Sequence, residues 1–445
     1  MKFELLASVL KRALERGASA ADGFVVEESR GSASVRMGEI ETVTHARDQR
    51  LALRVFAGRA SAAASTSDFS RDSLERLVDE ATSLAKVTAE DPCAGLPDPE
   101  ELIARVPDLD LEDTGGDELT PEQKVELARK CEAAALESDP RITNSEGAEH
   151  YDRLTHYAYA TSHGFAQGYR TTSFGLSVTP VATQNGDMQR DYWYATSRRR
   201  VRLEDPAAVG RTAAWRAVRR LGARKIKTVE VPVVFDPETA ASLVRSLAAA
   251  ASGPSLYRRT SFLVDRLGAK IGSPLMTIVD DPLIPGGLGS RPFDGEGLPT
   301  GRTTLVGDGV LESYLLDTYS ARKLGMKSTH HAARDGGGVS VSTSNLMLLP
   351  GRDKPAALIG SVKQGLYVTE LIGFGVNGVT GDYSRGAAGH WIENGELAYP
   401  VEEVTVAGNL LEMFAKLEAV GDDLTLRDRT AAPTLKIARM VVAGN

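Results

Sequence analysis

The sequence predicts an α+β protein in two regions. An N-terminal region, residues 1–225, consists of antiparallel meanders flanked by helices. A C-terminal region, residues 226–445, is mostly β: a coiled or barrel-like sheet with peripheral helices. Three observations predict this. Apolar residues recur at helical spacing in separate stretches. Between them lie runs of strand-forming residues broken by Gly, Asp and Asn turn chemistry. At 445 residues the chain also exceeds what one hydrophobic core commonly serves.

Phe3 to Arg16 reads as an amphipathic helix, with Leu5, Leu6, Val9, Leu10 and Leu14 near one face and Gly17 as its stop. Short strands follow at Phe24–Glu27, Ser32–Arg36, Ile40–Ala46 and Leu51–Phe56, broken at Gly38-Glu39 and Asp48-Gln49, and then at Ser61–Thr66. Asp68 or Ser70 caps a helix over Asp72–Lys86. Residues 88–120 are rich in Asp, Glu, Pro and Gly and read as an exposed linker. Thr120, Pro121 and Gln123 form a capping-box start for a helix to about Leu136. Ile142 to Val201 returns to β, and most of its aromatic residues read as packing, with hydroxyls at the rim. Asp205 to Leu221 is a helix. The N-terminal region is thus helix, meander, helix, twice over, without a clear sequence repeat.

In the C-terminal region Val229–Phe235 is a strand and Pro237–Ala251 an alanine-rich helix. Strands are expected at Leu275–Val279, Thr303–Val306, Val310–Leu316, Asn345–Leu349 and Leu435–Val442, with a helix over Leu410–Leu417. Gly307-Asp308-Gly309 makes a hairpin loop. Leu371 to Leu410 is glycine-rich throughout. Asn394-Gly395 between apolar segments is a strong hairpin signal. Just before it, Gly381-Asp382-Tyr383-Ser384-Arg385-Gly386 packs an acid, a phenol, a hydroxyl and a guanidinium into one loop. Two readings of that loop stay open: a β-corner whose polar groups satisfy turn backbone, or a groove floor that a peptide backbone approaches.

Bulk properties exclude several functions. A formal charge of −8 argues against non-specific nucleic-acid binding and anionic membranes. The cluster Arg198, Arg199, Arg200 and Arg202 reads as a strand end on a solvated face. No apolar run is long enough to cross a membrane, the N-terminal stretch lacks a signal-peptide core, and two distant cysteines fit a reducing compartment. The expectation is a cytoplasmic protein.

The run Gly378-Val379-Thr380-Gly381-Asp382-Tyr383-Ser384-Arg385-Gly386-Ala387-Ala388-Gly389 is long and distinctive. Trp391-Ile392-Glu393-Asn394-Gly395 and Val406-Ala407-Gly408-Asn409-Leu410 follow it. Together they resemble the C-terminal signature of the TldD/PmbA family, in its PmbA (TldE) branch. A weaker resemblance extends over the chain through Val279-Asp280-Asp281 and Phe293-Asp294-Gly295-Glu296-Gly297. The TldD branch implies a metalloprotease with a helical His-Glu-x-x-x-His motif and a later cysteine ligand. The matching helix here is Pro237–Ala251. The motif's place falls on Arg245 to Ala250, and the cysteine's on Gly381-Asp382-Tyr383. Three zinc ligands and the general base are missing.

Other constellations are no stronger. None of the seven histidines lies in a zinc-binding helical pattern. They read as exposed or hydrogen-bonded. No G-x-S-x-G elbow is present, and the glycine runs at 286–289 and 336–338 lack a phosphate-loop context. The resemblance therefore implies no catalytic residue and no metal in this chain. It implies a zinc-bearing TldD-like partner in a heterodimer and extended peptides as substrates, with a homodimer possible for the chain alone. Asn377, Asp382, Tyr383, Ser384, Arg385, His390 and Trp391 are the candidate interface or groove residues. Arg385 is expected on a carboxylate and Trp391 as a packing anchor. Two alternatives stand beside this: a stand-alone hydrolase built on Asp280, Asp281, Asp294 and Glu296, and a homodimeric peptide-binding scaffold.

Overall fold

A computed structural model of the chain describes residues 2–115, 118–335 and 338–444. Gly116 and Asp117 of the linker, and Gly336 and Gly337 of the second glycine run, lie outside the described residues.

The N-terminal region is built twice on one plan. Helix α1 (Phe3–Glu15) is followed by strands β1 (Ala20–Arg36), β2 (Glu39–Ala57) and β3 (Ala60–Thr66), then helix α2 (Arg71–Val87). Helix α3 (Pro121–Ser138) is followed by β4 (Ile142–Thr161), β5 (Ala166–Gln184), β6 (Asp187–Arg190) and β7 (Trp193–Ser197), then helix α4 (Pro206–Val218). The two halves join through an antiparallel β1–β4 pair into one seven-stranded sheet, ordered β3-β2-β1-β4-β5-β6 with β7 also on β5. Leucines and valines of α1, α2 and the start of β1 make one core. Helices α3 and α4 make a second at the other end of the sheet.

The strands are longer than the sequence suggests: β1 runs 17 residues and β2 runs 19, straight through Asp48-Gln49. Residues 39–50 of β2 are exposed on nearly every side chain, so polar residues there cost no burial and do not break the strand. The Thr120 capping box is present as expected, with both of its hydrogen bonds. The linker is not simply exposed. Leu96, Leu109 and Leu111 are buried in it. Arg322 donates to the carbonyls of Gly95 and Leu96, and the Thr172 N–H donates to Leu111. Its turns kept their chemistry while three scattered leucines strapped it to both regions.

In the C-terminal region β8 (Val229–Phe235) leads into helix α5 (Pro237–Ala250). Then come β9 (Ile278–Asp280), β10 (Thr303–Gly307), β11 (Val310–Leu311), β12 (Ala332–Asp335), β13 (Gly338–Val341) and β14 (Leu346–Leu348). They are followed by β15 (Gln364–Ile372), β16 (Asp382–Glu393), β17 (Glu396–Asn409), β18 (Leu417–Val420), β19 (Thr430–Ala431) and β20 (Leu435–Ala443). Strands β17, β16, β15, β8 and β20 pair in turn, and β17 pairs β20 to close a five-stranded barrel. Closure removes the free edges that an open sheet would leave. One core takes side chains from all five of these strands and from α5. Eight of the 14 residues of α5 are buried, three of the first five of them Thr239, Ala240 and Ala241. Small side chains let the helix lie close to the strands.

The Asn394-Gly395 turn holds both residues at positive φ, 50° and 84°, and joins β16 to β17 as expected. Two expected strands shrink. Leu275 and Met276 lie before β9 rather than in it, and β11 ends at Leu311. Beyond those points the backbone hydrogen-bonds to loops: Leu315 N–H to Ala251, and Met276 N–H to Ser273.

Candidate functional site

Strand β16 splits the residues of the distinctive run into two groups. At its start, the Asp382 carboxylate accepts from the Thr380 hydroxyl at 2.6 Å and from Asn409 at 3.2 Å. Asn377 caps the same loop, accepting from the Val379 N–H at 2.9 Å. Ser384 is exposed, and its N–H donates to Gly375. Tyr383 points the other way and is 2% exposed. Its hydroxyl lies near Arg385 and Ser242 of α5 but makes no hydrogen bond of ordinary geometry to either. Burial pushes this phenol up to about 12. At the other end of β16, His390 and Trp391 are buried. The His390 Nε2–H donates to the Arg219 carbonyl, just past the end of α4, at 3.0 Å. Burial and the Arg219 charge hold that imidazole down at about 4.

Within this chain Arg385 donates to the Leu371 carbonyl at 3.3 Å. Trp391 lies in the barrel core. The glycines serve strand pairing. A Cβ on Gly375 would meet the Ser384 oxygen at 1.6 Å, and one on Gly389 the Tyr367 oxygen at 1.9 Å. Of the seven residues, Asn377, Asp382 and Ser384 are exposed, Arg385 is half-buried, and Tyr383, His390 and Trp391 face inward.

The place where the metal-bearing branch would hold zinc has no donors for it. On α5, Arg245 is exposed, Ser246 donates to the Ser242 carbonyl, and Ala250 is buried. Facing them, Tyr383 keeps its proton. An arginine, a serine, an alanine and a neutral phenol do not fit a zinc ion. Cys131 lies far away in α3, where burial and Glu132 push its thiol up to about 12. Among the described residues no three His, Cys, Asp or Glu side chains gather as a metal site requires.

A feature missed from sequence is a groove of about 460 Å³ between the long sheet and the C-terminal region. Its floor is the sheet face opposite the helices: Tyr151, Arg153, Thr155, Tyr157 and Tyr159 of β4, with Tyr169, Thr171 and Ser173 of β5. Their spacing of two along each strand is the signal that marks one face. From sequence most of those aromatics read as packing residues, whereas Tyr151, Tyr157, Tyr159 and Tyr169 line this groove. The Arg198 cluster divides, with Arg202 exposed to solvent. Arg198 lines this groove, and Arg199 pairs with Asp110.

At one end of the groove a buried ionic cluster joins the two regions. Asp22 of β1 has no exposure and takes Arg54 of β2 at 2.6 Å, Arg334 of β12 and the Tyr159 hydroxyl at 3.0 Å. Arg54 also reaches Glu296 at 3.3 Å. Burial would raise the Asp22 carboxyl, but Arg334 and Arg54 overcome it and hold it at about 2. Close by, Asp294 accepts from the N–H groups of Glu296 and Leu298. Burial and the Glu296 charge push Asp294 up to about 7. The four carboxylates are dispersed in role. Asp281 caps a turn at Leu283, and Asp280 accepts from the Ser344 N–H and faces His331 at 3.3 Å. Asp294 is the one of the four that lines the groove.

Comparison with known proteins gives the class. Models of the PmbA/TldA metallopeptidases match almost end to end: domain 1 over residues 21–85, the central domain over 115–221 and the C-terminal domain over 228–444. The chain belongs to this PmbA/TldD family, and its barrel and double-plan sheet are the family fold. Within the family it is similar to metalloprotease PmbA of Escherichia coli O157:H7, 40% identical over 99% of this chain and 96% of that protein. A crystal structure from Bacteroides thetaiotaomicron superposes with a TM-score of 0.92 at 29% identity, over 100% of this chain and 99% of the other. TldE from Thermococcus kodakarensis has the same fold, with a TM-score of 0.87 at 22% identity over 99% of this chain and 100% of that one.

Proposed function

We propose that this chain is the metal-free, non-catalytic subunit of a cytoplasmic two-subunit metalloprotease. Its partner is a TldD-like chain that carries the zinc, and the substrates are unfolded or leader peptides held extended. The observation that carries this reading is the donor-free place on α5 and β16: Arg245, Ser246, Ala250 and Tyr383 stand where a zinc-binding relative needs imidazoles, a carboxylate and a thiolate. The exposed loop beside it supports a docking role. Phe374 is fully exposed, with Ile372 and Val379 more than half exposed around it, next to Asn377. The test is elemental analysis of the purified chain, with and without a co-expressed TldD-like partner. Zinc and chelator-sensitive peptidase activity are expected only in the complex. About one zinc per isolated chain would overturn the reading.

A second reading, a carboxylate hydrolase, is favoured by one observation. Asp294 lies in the groove with a carboxyl raised to about 7, near where a general acid–base group operates best. Peptide hydrolysis by the isolated chain, insensitive to chelators and abolished by Asp294→Asn, would establish it.

A further inference from the structure

The groove holds positive charge without matching carboxylates. Arg198 donates to the carbonyls of Thr172 and Leu288, Arg291 to those of Ala332 and Ser342, and Arg429 to that of Thr343. None of the three has an ion pair with a carboxylate among the described residues, whereas Arg54, Arg199, Arg216 and Arg334 all do. Arg429 lies close enough to Arg198 and Arg291 to disfavour their charge. Burial comes first in pulling the Arg198 and Arg291 guanidiniums down, and the Arg429 charge adds to it in both. Arg291 is 8% exposed, and its Nε has no partner. Two acids also line the groove. Asp294 is turned to backbone N–H groups, and Asp428 is exposed and accepts from the Arg429 N–H. Asp280 and Asp294 act on Arg291 through space and favour its charge, but neither forms an ion pair with it. In a chain of net charge −8, a groove with three guanidiniums lacking carboxylate partners is a local inversion. Guanidinium forks match carboxylates in shape as well as charge.

The floor supplies the second half of the argument. Tyr157 and Tyr169 lie ring to ring at 4.9 Å, and Phe293 meets Tyr169 edge-on at 5.4 Å. Beyond them Thr155, Thr171 and Ser173 continue along the same face. Side chains two apart on a strand repeat every ~6.6–6.8 Å, and so do alternate side chains of an extended peptide. A compact metabolite has no use for that repeat.

We infer that the groove between the β4–β5 face and the C-terminal loops binds an extended acidic peptide segment, its carboxylates on Arg198, Arg291 and Arg429 and its backbone over Tyr157 and Tyr169. This deepens the peptide-handling role proposed above and rests on it only for the physiological source of the peptide. The isolated chain should bind a labelled peptide of alternating Glu and Ala in fluorescence anisotropy. It should bind the matching Lys-Ala peptide at least about tenfold more weakly, and binding should weaken as salt rises. Arg429→Gln, at an exposed position, should weaken the acidic peptide several-fold with unchanged circular dichroism, and Arg198→Gln should weaken it further. Absence of saturable binding would overturn the inference, as would equal binding of both peptides, undiminished binding in Arg429→Gln, or full displacement by inorganic phosphate at equal concentration. The partner reading is scored separately. Zinc-dependent activity of the complex that persists when the groove binds nothing sinks the groove alone. Groove binding without any complex sinks the partner alone.

Discussion

Asp294 and His150 are both buried titratable groups, and their shifts have opposite consequences for stability. Asp294 is raised to about 7 by burial and Glu296, so the folded state holds a proton that the unfolded chain has released above about 4. Its penalty therefore grows as pH rises from about 4 to 7. Asp294→Asn should gain stability over the parent across that window and level off above it, measured as urea midpoints from pH 4 to 8. A constant difference would contradict the assignment. His150 is fully buried with neither ring nitrogen partnered, and burial holds it down at about 4. Its contribution is present above its ordinary pKa of 6.5 and lost as pH falls toward 4, by about 3 kcal/mol at most. His150→Leu should flatten the acid limb of the stability profile. Asp22 shows the third case. Replacing it with Asn leaves Arg54 and Arg334 buried around a neutral group, and a loss of about 3–5 kcal/mol in urea unfolding is expected.

At the scale of elements, two places carry the fold's closure. Gly389 lies where β16 bends against β15, and any Cβ there meets the Tyr367 backbone oxygen. Gly389→Ala should open the barrel seam, read as loss of amide protection in β15 and β16 together. Ionic contacts weld α4 to the start of α5. Arg216 pairs with Asp191 at 3.2 Å and faces Asp236 at 3.7 Å, while Asp236 also caps α5 through the Thr239 N–H. Helix starts were legible because their signals are local. Thr120, Asp205 and Asp236 each stand just before a Pro, and the structure caps all three helices there. Strand lengths were not, because whether Asp48-Gln49 ends a strand depends on what lies beside it. In this fold nothing buries that stretch, and the pair passes through.

For the whole molecule, the two regions enclose a groove, one supplying the floor from β4 and β5 and the other the loops above it. The exposed apolar loop lies apart, on the barrel. Phe374→Asp is expected to weaken assembly with a TldD-like subunit and leave the isolated chain's unfolding midpoint unchanged, because Phe374 touches no core. Co-purification yield beside a urea titration checks both halves. An unchanged yield would remove the loop from the interface.

The sequence by itself determined the α+β class, the repeated helix–meander–helix plan, the barrel-like C-terminal sheet and the family. These follow from periodicity, caps, turn residues and one long run from Gly378 to Leu410, all local along the chain. Only the tertiary structure decided which polar residues share a space. Arg198, Arg291 and Arg429 are scattered over more than half the chain's length, and only the packing of the sheet face against the C-terminal loops brings them around Tyr169. The barrel core takes Tyr383 and Trp391, and His390 turns to the Arg219 carbonyl. A side chain's partners are fixed by long-range contacts that hydrophobic patterning does not encode. The pattern names the face of a strand, and the fold chooses what that face meets.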